Sequence, residues 1–161
     1  MSVAAWTALI DGDHGVSREA KALRDALRAS RRGTAPGAIL FRRLWDLEQV
    51  FEDASSAGWD GYGADPVTQE TFDTAKRFIE ALPNTWPAPE ISADPDGEIT
   101  FEWGRGPDMV FAVSIGASDL ADYAGLFGRV KIHGREVLSE LPKVVLDNLA
   151  RLFPRSLRSA P

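Results

Sequence analysis

Cysteine is absent from this chain, which excludes disulfides and thiolate metal sites and suits a reducing cytoplasm. Long apolar runs are absent too: none approaches the roughly 20 residues that a membrane span requires. The opening stretch is apolar (Val3, Ala4, Ala5, Trp6, Leu9, Ile10) but has no basic leader, and Asp11, Asp13 and His14 interrupt it before a signal-like core could be completed. A cytoplasmic location with no membrane association is expected. Internal repeats and low-complexity tracts are lacking, and only His14 and His133 are available as imidazole bases.

The 161 residues are 44% hydrophobic and 26% charged, an ordinary globular balance for one domain. A chain of this length buries roughly 70% of the surface its unfolded form exposes, so it needs no covalent staple. Charge is distributed unevenly. Residues 1–43 hold eight Lys/Arg against four Asp/Glu, and residues 44–161 hold ten against twenty, giving a basic arm (+4) on an acidic body (−10).

Hydrophobic spacing predicts a helix over 16–31, with Val16, Ala20, Leu23 and Leu27 on a thin stripe and Ser17 as its cap. Gly33 to Gly37 breaks the chain. A stronger helix is expected over about 38–56 from Leu40, Leu44, Leu47 and Phe51, widened by Phe41 and Trp45. A third should start at Asp65-Pro66, cap then first-turn proline, bury Phe72, Ala75, Phe78, Ile79 and Leu82, and stop at Pro83. The period then changes from 3.6 to 2. Glu90 to Asp94 reads as a strand, Asp96-Gly97 as a two-residue hairpin turn, and Ile99, Phe101 and Trp103 as the dry side of the next strand. Met109 to Ile115 is apolar on both faces and belongs centrally. Tyr123 to Phe127 and Arg129 to His133 read as two short strands broken at Gly128, and Ser139 to Phe153 as a final helix with Leu141, Val145, Leu149 and Leu152 inward. The expected fold is therefore α+β: N-terminal helices, an antiparallel meander of four to five strands, and a C-terminal helix packed on one face. The expected divisions are a basic arm with one helix (1–36), an α+β domain (37–154) and a loose tail (155–161).

Candidate chemistry fails on spacing. Asp11-Gly12-Asp13-His14-Gly15 begins like a calcium loop, but Gly15 and Ala22 occupy positions that need oxygen ligands. Ala112-Val113-Ser114-Ile115-Gly116 resembles a nucleophile elbow, which needs a strand–turn–helix on a parallel sheet, whereas Ser114 falls inside an antiparallel strand. His133 before Gly134 reads as a turn residue or a satisfied structural one. Gly58 to Gly63 follows a helix, not a strand, and so is no dinucleotide loop, and Gly104-Arg105-Gly106 lacks the lysine of a phosphate loop. Glu98 and Glu102 look like the wet face of a strand. No catalytic, cofactor or metal residue is assigned, and no enzymatic role is expected.

The most distinctive stretch is Gly58-Trp59-Asp60-Gly61-Tyr62-Gly63-Ala64-Asp65-Pro66. In one reading Trp59 and Tyr62 plug a seam between helices, with the glycines allowing close approach. In the other, Trp59, Asp60, Tyr62 and Asp65 form a partner-binding loop, because Trp and Tyr are rigid amphipathic anchors. This loop, with Leu82-Pro83, the Phe101-Glu102-Trp103 strand and His133-Gly134, resembles a family of small uncharacterised bacterial proteins over about 45–153. The resemblance implies a bacterial or mobile-element origin and no particular activity. The leading expectation is an interaction protein, in the manner of an antitoxin, immunity protein or anti-defence inhibitor, whose acidic surface docks a partner with a basic one. A second reading is a nucleic-acid-associated regulator contacting its target, or an acidic partner, through Arg24, Arg28, Arg31 and Arg32. A third is an enzyme whose site the sequence hides. Salt-dependent DNA binding separates the second from the first.

Overall fold

The computed structural model describes residues 36–154, so the expected helix at 16–31, the Asp11–Gly15 turn and the tail from 155 lie outside the described residues. Helix α1 spans Pro36–Ala54 and α2 Gln69–Ala81; five strands follow, β1 (Glu90–Ala93), β2 (Ile99–Gly104), β3 (Met109–Ile115), β4 (Leu120–Phe127) and β5 (Val130–Val137); α3 (Lys143–Leu152) comes last. The strands form one antiparallel sheet in the order β1-β2-β3-β4-β5, a pure meander with β3 at its centre. The fold is α+β, as the change of period at Pro83 predicts. Among the described residues no helix is long and apolar enough to cross a membrane.

Direct cross-strand partners put their side chains on the same side of a sheet, so the register sorts the residues into two faces. Ile99, Phe101 and Trp103 of β2, Phe111, Val113 and Ile115 of β3, and Ala121 and Phe127 of β4 are buried on the covered face. They join Leu47 of α1, Ala75, Phe78 and Ile79 of α2, and Val145, Leu149 and Leu152 of α3 in one core, with Leu44 and Phe51 packed at its margin. Phe111 is central, its ring centroid 6.3–6.5 Å from those of Trp103, Tyr123 and Phe127. Leu40, Phe41 and Trp45, expected on the apolar stripe of α1, are half-buried and stand outside this core.

Around the helices and the β1–β2 turn, boundaries differ from the sequence expectation where a hydrogen bond or a proline redirects the chain. Asp65 does not cap α2. Its N–H donates to the Pro95 carbonyl at 2.8 Å and the Val67 N–H to the Ala54 carbonyl at 2.9 Å, which ties 65–67 down as a link. Thr68 caps instead, its Oγ1 accepting the Thr71 N–H at 3.1 Å. The β1–β2 connection is not a two-residue turn. The Asp94 carbonyl accepts from the Gly97 N–H and the Asp94 N–H donates to the Glu98 carbonyl, both at 2.9 Å, leaving Pro95, Asp96 and Gly97 as a three-residue loop with Gly97 at φ 82°. The last helix begins at Lys143 rather than Ser139, because Pro142 takes the N-cap position and biases the residue before it away from helix.

β4 and β5 are each eight residues long, so β5 runs through His133 and Gly134 to Val137. His133 is therefore no turn residue: it is exposed in mid-strand opposite Ala124. Gly134 is needed for space. A Cβ there would collide with the Tyr123 ring lying across it, the Cζ being 2.6 Å away.

Candidate functional site

The loop joining α1 to α2 carries the distinctive motif. Gly58, Gly61 and Gly63 have φ of 72°, 78° and 93°, and a Cβ at any of them would meet nothing within 4 Å. These glycines supply left-handed backbone, not the close approach expected of them. Asp60 holds the turn from inside: its Oδ1 accepts the Tyr62 N–H at 2.8 Å and the Ala64 N–H at 3.0 Å. Those two bonds hold its carboxyl below the ordinary aspartate range, because each favours the ionised form. The Gly58 N–H closes the base of the loop on the Ala64 carbonyl at 2.8 Å.

Trp59 and Tyr62 have different jobs. The Trp59 ring is half-buried against the core and its indole N–H donates to the Asp65 carbonyl at 3.1 Å, so it holds the loop from beneath. Tyr62 is 95% exposed. It plugs no seam; a rigid turn presents it outward.

The loop abuts the β1–β2 turn. Besides the Asp65 N–H to Pro95 bond, the Gly97 backbone comes so near that a Cβ on it would lie 2.9 Å from the Pro66 carbonyl oxygen. This contact sets Asp65 beside the turn that carries Asp94, Asp96 and Glu98. Burial raises the Glu98 carboxyl above the ordinary range, and the charges of Asp96, Asp122 and Asp94 raise it further, while Arg135 opposes them. Arg135 is engaged with Asp122 through a two-pronged contact at 2.7 and 2.8 Å.

Among the described residues the side-chain contact of Ser114 is to the Thr100 hydroxyl and not directly to a base. Thr100 donates to Asp94 at 2.6 Å, so the 2.6 Å contact between Thr100 and Ser114 must carry the serine proton to the threonine oxygen. Among the described residues no group of three His, Cys, Asp or Glu could hold a metal ion. Arg24, Arg28, Arg31 and Arg32 lie outside the described residues.

One polar residue was miscast by the sequence reading. Arg43, counted with the basic arm, is buried and donates to the carbonyls of Leu82, Pro83 and Trp86 at 3.3, 3.4 and 2.8 Å. Desolvation lowers its pKa, and its work is to close the end of α2 and the turn beyond. The signal was present: Arg43 sits three residues after Leu40 and four before Leu47, on the inward stripe. Compared with known proteins, the chain matches no family model, no curated protein and no solved structure.

Proposed function

We propose that this chain is a non-catalytic interaction protein that docks a partner protein bearing a basic surface, in the manner of an antitoxin, immunity protein or anti-defence inhibitor. The contact is the acidic corner built from the 58–66 loop and the β1–β2 turn. The observation that carries the reading is Tyr62, 95% exposed on a turn whose backbone Asp60 and three left-handed glycines already fix. An anchor on an ordered turn loses little backbone freedom on binding, which removes the loop-ordering part of the cost of association. The surrounding carboxylates would speed encounter with a cationic surface, and burial of the tyrosine ring would set the lifetime of the complex.

The test is co-purification from the source cells with tagged wild-type protein, followed by kinetics on the purified partner. Tyr62→Ala should raise the dissociation rate about tenfold or more, equivalent to roughly 1.4 kcal/mol. Asp65→Lys should mainly lower the association rate, with a weaker dependence on salt. Both variants should melt like wild type. Binding that neither substitution alters would sink the proposal, and so would a retained species that proves to be nucleic acid rather than protein.

A further inference from the structure

All three helices pack on one side of the sheet, and among the described residues no element covers the other side. A solvated face is ordinary for an antiparallel sheet, but its centre should then be polar. Here the centre is Val110 and Ala112 of β3 beside Ala124 and Leu126 of β4, forming a shallow groove of about 470 Å³ bordered by Glu102 on one flank and Lys131 and His133 on the other. Charge on this face is divided by strand. Glu90 lies on β1, Glu102 on β2, and Asp94 and Glu98 at the ends of those strands; Lys131 and Arg135 lie on β5, with the His133 imidazole between them. Asp122 is the acid on the basic half, and Arg135 already pairs with it.

We propose that this open face is the contact between two copies of the chain. A two-fold axis running along the strands would lay β3 of one protomer over β3 of its partner and each β1 over the other β5. The apolar centres would then meet, and Glu90 of each protomer would face His133 and Lys131 of its partner. That is the self-complementary pattern an isologous interface requires. Aligned sheets pack in this way about 10 Å apart, with their strands rotated by about 30°. A uniformly basic partner fits this face poorly, because Lys131 would repel it and Arg135 is already paired with Asp122. The occupant that matches both flanks at once is a second copy.

Sedimentation equilibrium on the full chain tests this. A dimer with a micromolar dissociation constant is expected. Leu126→Glu should give a folded monomer, because it places a charge in the apolar centre. Glu90→Lys and Lys131→Glu should each weaken the dimer about tenfold, and the double variant should recover most of the loss, since both contacts are then reversed together. Tyr62→Ala should leave the dimer intact, which separates this surface from the acidic corner. A wild-type monomer at the highest soluble concentration overturns the proposal, as does a dimer indifferent to Leu126→Glu. A monomer that Leu126→Glu nonetheless destabilises would also overturn it, by assigning the cover to residues 1–35 of the same chain.

Discussion

The covered and open faces of the sheet come from the same five strands; on β2 they differ in polarity, on β3 mainly in size. On β3 the covered positions are Phe111, Val113 and Ile115, and the open ones Val110, Ala112 and Ser114. On β2 the contrast is Ile99, Phe101 and Trp103 against Thr100, Glu102 and Gly104. Both sides of β3 are largely apolar, so hydrophobicity alone barely separates them. Volume does: the covered side fills the space beneath three helices, where side chains interdigitate at crystal-like density. The open side of β3 is shallow and holds smaller residues. A strand that reads apolar on both faces can still declare its buried side through the alternation of large and small.

The sharpest test of the contrast is Phe111→Ala, which should cost about 3–5 kcal/mol by removing the ring at the centre of the aromatic cluster. Ser114→Ala, on the opposite face of the same strand, should cost no more than about 1 kcal/mol, the net worth of one hydrogen bond. Denaturant unfolding measures both, and equal losses would mean that the two faces are not distinct environments. Arg43→Met comes next. It keeps an unbranched apolar stem but leaves the Leu82, Pro83 and Trp86 carbonyls without their donor, and orphaned groups of this kind cost about 1–3 kcal/mol each when buried. A net loss on the order of 3 kcal/mol is expected, and a melting temperature equal to wild type would show that water replaces the guanidinium.

Gly134→Ala probes the covered face where it thins at β5. The new Cβ must displace the Tyr123 ring, for an overpacking cost of about 1–3 kcal/mol. In a Tyr123→Ala background the same change should be neutral or slightly stabilising, since φ at Gly134 is not in the left-handed region. Absence of that coupling would refute the steric explanation.

Asp60→Asn has the smallest expected effect and concerns the rim. Asparagine can keep the turn's geometry, so the substitution isolates the charge. The folded carboxyl titrates below its unfolded value because the Tyr62 and Ala64 N–H groups favour the anion. Its stabilisation is therefore fully present above the ordinary aspartate range and is lost as the pH falls through the depressed folded value. The melting-temperature gap between wild type and Asp60→Asn should be widest near neutral pH and close on acidification. A gap that stays flat would mean that the anion contributes nothing.

Much of this fold was legible because each element carries its own period. Leu44, Leu47 and Phe51 repeat at helical spacing and Ile99, Phe101 and Trp103 at strand spacing, and each set lands in or against the core. Boundaries were less legible where a distant partner decides them. Asp65 has the chemistry of a cap, yet its N–H is taken by Pro95, thirty residues on, and Thr68 caps instead. The candidate loop was visible as a motif, but nothing in its composition separated Trp59 from Tyr62. Both are aromatic residues that directly follow a glycine. Only the direction of the turn makes one a support held against the core and the other an exposed ring.

Sequence alone determined the class of the fold, the dry side of β2 and the presence of a glycine-rich acidic turn, because periodicity acts locally. Tertiary structure decided the role of Arg43, the place of His133 in mid-strand and the meeting of the 58–66 loop with the β1–β2 turn. Each of those depends on a neighbour outside its own element: a set of distant carbonyls for Arg43, the paired strand β4 for His133, a second loop for the acidic corner. Position in a sequence cannot specify such a neighbour until packing brings the two together.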